Sequence, residues 1–201
     1  MSIQIGAGPT KSLLDDPMAL FYACHRRVNF FLNTFLKVAQ AAQGKSLTPE
    51  QQNALKSALR YFREAAPLHT LDEEQSLFPR LQKIQSPKTK TLLSTLETLK
   101  QGHRNAEDDH KKVNQWIEDW IDQDKLSAKT YLCLSETLKR LSDFYEEHMQ
   151  IEEQAVFPIA KEMLPSSEMA IIGQEMAIRR GLDPRTLKEV TAQLRQSSRP
   201  A

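Results

Sequence analysis

The sequence predicts an all-α protein, an antiparallel up-down four-helix bundle with a short C-terminal helical extension. The chain has 201 residues but only 6 glycines. Its long runs of Leu, Ala, Glu, Lys and Gln favour helices, and it contains few of the β-branched clusters that strands prefer. Four long segments repeat apolar residues at helical spacing, and polar breaks near residues 45, 87 and 124 separate them. Short breaks between long helices indicate antiparallel neighbours.

Each of the four predicted helices carries a histidine inside its apolar stripe. Stripes of this kind form the helix face that packs on a core. They read Leu14, Met18, Phe21, His25, Val28, Leu32 and Phe35 in the first segment; Leu55, Leu59, Phe62, Ala66, His69 and Glu73 in the second; Leu92, Leu96, Leu99, His103, Ala106, His110, Val113, Ile117 and Trp120 in the third; and Leu134, Leu138, Leu141, Tyr145, His148 and Glu152 in the fourth.

Two features modify this simple bundle. Pro67 removes a backbone donor two residues before His69, so the second helix is expected to kink or loosen there. The composition changes after Pro165, and we predict a bundle over residues 1–165 and a helical tail over residues 166–201. In that tail, Ser166 and Ser167 are candidate caps of a helix that ends before Gly181, and Asp183-Pro184 is typical of another helix start.

Composition excludes several classes of function. A formal net charge of +1 gives no reason to expect a nucleic-acid partner or a membrane-binding basic patch. The chain contains no apolar run of the roughly 20 residues that span a bilayer, and its first residues do not have the pattern of a signal peptide, so a cytoplasmic location is expected. Two cysteines, Cys24 and Cys133, are too few for a disulfide framework and are interpreted as core residues.

A repeated motif indicates where the chemistry lies. The stretch HTLDEEQSLFP at 69–79 returns as HMQIEEQAVFP at 148–158. In both copies the first Glu follows the His by four, which places imidazole and carboxylate on one helical face. A single pair of this kind is usually a solvated surface contact, but both pairs lie in inward stripes, where an uncompensated carboxylate is costly. The second glutamates, Glu74 and Glu153, point about 100 degrees away in a regular helix and are less expected to meet the same target.

Counting along the chain places the four histidines at one level. His25 lies 20 residues before the break near 45 and His69 lies 24 after it; His103 lies 21 before the break near 124 and His148 lies 24 after it. A core with four imidazoles and two carboxylates requires a positive centre, which a metal supplies. The predicted metal ligands are His25, His69, Glu73, His103, His148 and Glu152.

The ligand types restrict the choice of metal. Six protein ligands exceed the four of a structural zinc site, and calcium and magnesium prefer oxygen ligands alone. Mixed imidazole and carboxylate suits iron, zinc, copper or manganese. Two octahedral ions could share the six residues if both glutamates bridge them, with an oxo or hydroxo bridge and one open position completing the site.

The order of a lone His, an HxxxE motif, a second lone His and a second HxxxE motif resembles the hemerythrin-like (HHE cation-binding) family over about residues 15–165. The segments CHRR at 24–27, YFREAAPLHTLDEEQSLFPRL at 61–81, GHRNAE at 102–107 and EMAIRRG at 175–181 are similar to a bacterial stand-alone branch of it. The resemblance implies a non-haem site with two iron ions (Fe2+/Fe3+), held by the same six residues. It also implies roles in oxygen binding or sensing, peroxide or nitric oxide handling, or iron homeostasis.

The chain departs from the classical oxygen carriers of this family, which have a second histidine on the third helix. Glu107, four residues after His103, is a candidate additional ligand, or else an inward acid beside the ligands. His110 lies only 14 residues before the break near 124, so it would miss His148 by 10 residues, or roughly 15 Å of helical rise. It is interpreted as a polar core residue or a group near an access path.

Two tyrosines precede ligand histidines by three residues, Tyr22 before His25 and Tyr145 before His148. At that spacing their hydroxyls can orient a ligand or bound dioxygen, although both can equally be core residues.

These features favour a di-iron protein that binds or senses dioxygen, peroxide or nitric oxide. The expected partner is therefore a small diatomic or peroxide ligand. The alternatives are an enzyme with peroxidase, catalase-like or nitric oxide-oxidising activity, and an iron-handling protein. Participation of Glu107 as a further carboxylate ligand would favour the enzyme.

Overall fold

The computed structural model describes residues 16–183, and every regular element in that range is helical. The elements, numbered here in chain order, are α1 (Pro17–Ala42), α2 (Pro49–Glu64), α3 (Ala66–Asp72), α4 (Phe78–Lys83), α5 (Pro87–Gln123), α6 (Ala128–Ile151), α7 (Phe157–Met163) and α8 (Ser166–Arg179). Single π-helical turns over Glu73–Leu77 and Glu152–Val156 join α3 to α4 and α6 to α7. Two sequence expectations, the stripe residue Leu14 and a helix start at Pro184, lie outside the described residues.

The predicted breaks are connections between capped helices. Thr48 and Ser86 each accept a hydrogen bond from the backbone N–H three residues on, at the starts of α2 and α5, and proline occupies the first helical position of both. Helix α1 ends where Gln43 and Gly44 adopt left-handed backbone, with φ of 50° and 73°. The chain also breaks at Ala65, between α2 and α3, two residues before Pro67.

The long helices form one helical bundle. Helix α1 packs against α2 and α6, and α5 packs against α6 and α2. Their buried apolar residues form two clusters, one toward the 43–48 and 124–127 connections and the other toward α4, α7 and α8. Phe21 belongs to one cluster and Val28 to the other, so His25 lies between them; Leu99 and Ala106 flank His103 in the same way. The polar site therefore lies between two apolar clusters.

Two local expectations need correction. Pro165, not Ser166 or Ser167, precedes the first turn of α8, and no side chain caps that helix. Cys24 is buried, as expected, and burial raises the pKa of its thiol to about 11, but Cys133 is partly exposed.

Helix α8 packs against α1 and α3, and the division of the chain at residue 165 remains a prediction. No helix in the described range is long and apolar enough to cross a membrane.

Candidate metal centre

The six predicted ligands meet inside the bundle. The ligand atoms of His25, His69, Glu73 and Glu152 all lie within 4.8 Å of one another, and so do those of Glu73, His103, His148 and Glu152. The two groups share Glu73 and Glu152. Two adjacent cation positions with two common carboxylates are therefore the arrangement that the side chains offer.

Each shared carboxylate directs its two oxygens to different histidines. Glu152 Oε2 lies 3.2 Å from His25 Nε2, and Glu152 Oε1 lies 3.1 Å from His148 Nε2. Glu73 Oε1 lies 3.3 Å from His69 Nε2, and Glu73 Oε2 lies 3.5 Å from His103 Nε2. Each glutamate thus connects one histidine of the first group with one of the second.

In the described range, five of the converging atoms lack the hydrogen bonds that buried polar groups normally form. Glu73 and Glu152 are 0% exposed, and within the described part of the chain their four carboxylate oxygens and His25 Nε2 form no hydrogen bond. The ring nitrogens His103 Nε2 and His148 Nε2 face each other at 2.8 Å. Orphaned buried acceptors are costly. A set of imidazole and carboxylate donors left in this condition fits transition-metal ions.

The pKa values of several of the converging residues are shifted. Burial opposes a charge on His25, but contacts with Glu152 and Glu73 outweigh it and raise the pKa of His25 to about 10. Burial and the charge of Glu152 raise the pKa of Glu73 well above its usual range. Burial also acts to raise the pKa of Glu152, but His148 and His25 outweigh it and hold that pKa below its usual range. Since metal ligands must be deprotonated, an incoming ion displaces these protons and its affinity rises with pH.

Gly102 allows the helices that carry His103 and His148 to approach each other closely. A Cβ atom at Gly102 would lie 2.9 Å from Phe144 Cε2 and 3.3 Å from His148 Nδ1. Only glycine therefore allows α5 to pack this closely on α6 without displacing the Phe144 ring or His148.

The second glutamate of each EE pair supports a histidine instead of joining the cluster. Glu74 Oε1 lies 2.8 Å from His103 Nδ1, and Glu153 Oε1 lies 2.7 Å from His25 Nδ1. Each outer carboxylate accepts a hydrogen bond from Nδ1–H and thereby directs Nε2 toward the cluster. Sequence reasoning missed this role, although the repetition of both glutamates in the two motifs was a signal for it.

Replacing Glu153 by glutamine is expected to weaken metal binding without abolishing it. The amide keeps the size of the side chain but removes the charge that holds His25, and loss of such an outer partner costs about 10- to 100-fold in affinity. Glu74→Gln should act in the same way through His103. Competition with a chromophoric chelator measures the change, and the exposed Glu147→Gln is the control. Unchanged affinity in both Glu74→Gln and Glu153→Gln would contradict the role assigned here.

The remaining predicted residues lie outside the two groups. The side chain of Glu107 is 65% exposed, and its Oε1 lies 2.9 Å from Lys111 Nζ. The Tyr22 ring packs edge-on against Phe157, with Lys161 Nζ 4.9 Å from its centroid. The structure thus brings neither residue into the set of converging ligand atoms found in the described range.

His110 and Tyr145 form a pair that sequence reasoning did not connect. The Tyr145 hydroxyl lies 2.7 Å from His110 Nε2, and the imidazole packs on Phe62 with ring centroids 4.8 Å apart. Burial lowers the pKa of His110 to about 4 and raises that of Tyr145, so both are neutral at pH 7. Tyr145 also lines a small cavity of about 20 Å³ beside the cluster, together with His69, His103, His148 and Glu152.

A buried ion-pair network borders the first motif and was also missed. Asp72, next to Glu73, is 0% exposed; its Oδ1 accepts from Arg179 Nη1 at 2.8 Å and its Oδ2 from Arg180 Nη2 at 2.6 Å. Arg179 Nη2 also donates to Ser76 Oγ at 2.7 Å. The C-terminal end of α8 is thereby fixed to the segment that carries Glu73.

Comparison with known proteins agrees with this geometry. The chain is 27% identical over 166 residues to an uncharacterized protein of Haemophilus influenzae, an alignment that covers 83% of this chain and 91% of that protein. The family profile of the hemerythrin HHE cation binding domain matches residues 16–160, the range that contains all six converging residues. The chain therefore belongs to the hemerythrin family of HHE cation-binding domains, and its His/Glu clusters fit a metal-binding protein of that family.

Proposed function

We propose that the protein is a non-haem di-iron protein of an antiparallel up-down four-helix bundle, and that it binds or senses dioxygen or a related small oxidant such as peroxide or nitric oxide. The observation that carries the proposal is the orientation of Glu73 and Glu152. Each of these carboxylates directs one oxygen to a histidine of the first group and the other oxygen to a histidine of the second group. The short connections 43–48 and 124–127 support the antiparallel arrangement.

The two groups of converging residues suggest how the ligands would divide between two ions. His25 and His69 would hold one ion and His103 and His148 the other, with Glu73 and Glu152 shared. The absence of thiolates and the count of six ligands argue against a structural zinc site. Bound iron would supply redox chemistry and an open position for a small oxidant.

The surroundings of the site suit a small ligand. Phe21 and Phe157 are fully buried beside His25 and His69 and keep this side of the cluster dry. The cavity of about 20 Å³ offers room for about one water-sized molecule. Two side chains that bear hydroxyl groups, Thr70 and Tyr145, are among the residues that line it. These features favour reversible binding of a diatomic or peroxide ligand, and we place that activity in the cytoplasm.

The enzyme hypothesis has less support. A third carboxylate ligand would have favoured it, but Glu107 is exposed and paired with Lys111. Binding or sensing is therefore the preferred function.

The test is metal analysis combined with optical spectroscopy of the aerobically purified chain. We expect two irons per chain and a ligand-to-iron charge-transfer band that disappears on reduction and returns when oxygen is admitted. Zinc as the sole metal after expression in iron-replete medium would refute the di-iron proposal. Steady consumption of peroxide would favour the enzyme over the binding protein.

A further inference from the structure

A second and much larger cavity lies between α3 and α5. Its volume is about 390 Å³, against about 20 Å³ for the cavity at the cluster. Pockets for small organic ligands start at roughly 300 Å³. A diatomic oxidant does not need a space of this size, so the proposed function does not account for the larger cavity.

The two cavities are neighbours. Four residues line both of them, namely Ala66, Thr70, His103 and Tyr145. A molecule in the larger cavity would therefore lie against residues that also line the cavity at the candidate metal centre, His103 among them.

The polarity and charge of the residues that line the cavity indicate which kind of ligand it can bind. The apolar side chains that line the cavity include Phe62, Ala66, Leu71 and Ala106. The charged lining residues are Glu74, Arg104 and Glu107, which together give no excess of positive charge to attract an anion. Arg104 is moreover engaged by the Gln101 side chain, at 2.9 Å from Nη2 to Oε1. These walls favour an uncharged molecule with a large apolar part.

Two buried polar side chains in the cavity wall offer a position for the polar group of that molecule. Tyr145 and His110 line the cavity as a hydrogen-bonded pair. A phenol hydroxyl can both donate and accept, and the single bond to His110 leaves part of that capacity unused. His110 Nδ1 is also buried without a partner among the described residues. The pair can thus accept one further polar contact.

We propose that this cavity binds an uncharged, mainly apolar organic molecule with a single hydroxyl or hydroperoxyl group, and that this group contacts the Tyr145 hydroxyl. This proposal deepens the proposed function. It rests on that function in one respect, namely that a bound hydroperoxide would be the oxidant presented to the metal centre. Binding itself needs the cavity and not the metal.

The experiment titrates the full-length protein with 2-phenylpropan-2-ol, followed by calorimetry and ligand-observed NMR. We expect one site per chain with a Kd on the order of 1 mM or tighter. The shape-matched carboxylate 2-methyl-2-phenylpropanoate should bind at least about tenfold more weakly, because an anion gains no partner and loses hydration. Displacement of the alcohol by cumene hydroperoxide then shows which of the two molecules, the alcohol or the hydroperoxide, binds with the higher affinity.

Two variants locate the site. Leu71→Trp fills the cavity and should weaken alcohol binding at least about tenfold, whereas Leu132→Trp, at a side chain that is 58% exposed on α6, should leave it unchanged. Tyr145→Phe should lower the affinity for the alcohol to the affinity that the unaltered protein has for isopropylbenzene, which lacks the hydroxyl. This second variant decides the question if Leu71→Trp does not fold.

No saturable binding, equal binding of the carboxylate, or binding that neither Leu71→Trp nor Tyr145→Phe weakens would overturn the proposal. A chain that lacks iron but still binds the alcohol would refute the di-iron function alone. The two failures are therefore distinguishable.

Discussion

Replacing Glu152 by alanine is expected to empty the proposed two-ion site, leaving nearly no bound metal per chain. Glu152 belongs to both groups of converging ligand atoms, so its loss removes a donor from both groups at once. Its carboxylate lies 3.2 Å from His25 Nε2 and 3.1 Å from His148 Nε2, and no other acidic side chain in the described range takes that position. Metal per chain, measured by plasma mass spectrometry after gel filtration, tests this expectation.

Three further variants make the result specific. Glu147→Ala removes an exposed acid one residue before His148 and should retain both ions. His69→Ala removes a donor from one group alone and should lose at least one ion. His110→Ala should retain the metal, because His110 belongs to neither group found among residues 16–183. If Glu152→Ala keeps its metal, the shared-carboxylate assignment is wrong. If His110→Ala alone empties the site, the register assigned to α5, which carries both His103 and His110, is wrong.

The level of the histidines could be predicted because it depends only on counting. A regular helix rises by a constant amount per residue, so equal path lengths from a short turn place side chains at equal heights. The inward direction followed from the apolar stripes around His25, His69, His103 and His148. This is why the six residues whose ligand atoms meet in the structure are the six that the sequence points to.

The outer glutamates could not be placed in the same way, because the chain is not a regular α-helix where they occur. The backbone N–H of Phe78 donates to Glu73 O, and that of Phe157 to Glu152 O, five residues back in each case. Pro79 and Pro158 give a physical account of these wider turns. In a regular α-helix each proline ring would meet the carbonyl four residues earlier, and a π turn relieves that conflict. The rotation of 100 degrees per residue that holds in a regular α-helix therefore does not give the side-chain directions of the residues that follow Glu73 and Glu152.

The network around Asp72 was beyond sequence reasoning for a different reason. Asp72 is separated from Arg179 by 107 residues. Periodicity describes the faces of one helix and contains no information on which distant charges will pair. The sequence indicates a helix in the C-terminal region, but only the packed structure shows that its two arginines reach the first motif.

Replacing Asp72 by alanine is expected to lower the free energy of unfolding by about 3 kcal/mol, the cost of removing one partner from a buried ion pair. Burial raises the pKa of Asp72 even against its two arginines, so the intact network is not itself strongly stabilising. The loss comes instead from Arg179 and Arg180, which are only 17% and 18% exposed and would keep their charges without the carboxylate that balances them. Urea denaturation of the metal-free chain at pH 7 measures the difference.

Asp109 offers the matched control for Asp72. Its two carboxylate oxygens each lie 3.0 Å from a guanidinium nitrogen of Arg140, but the Arg140 side chain is 58% exposed. Water can replace the lost acceptor there, so Asp109→Ala should cost no more than about 1 kcal/mol. A loss of similar size in Asp72→Ala and Asp109→Ala would mean that the link between α8 and the first motif contributes no more than a surface ion pair. If instead Asp72→Ala also lowers metal affinity while Asp109→Ala does not, the attachment of α8 helps to position Glu73, the residue next to Asp72.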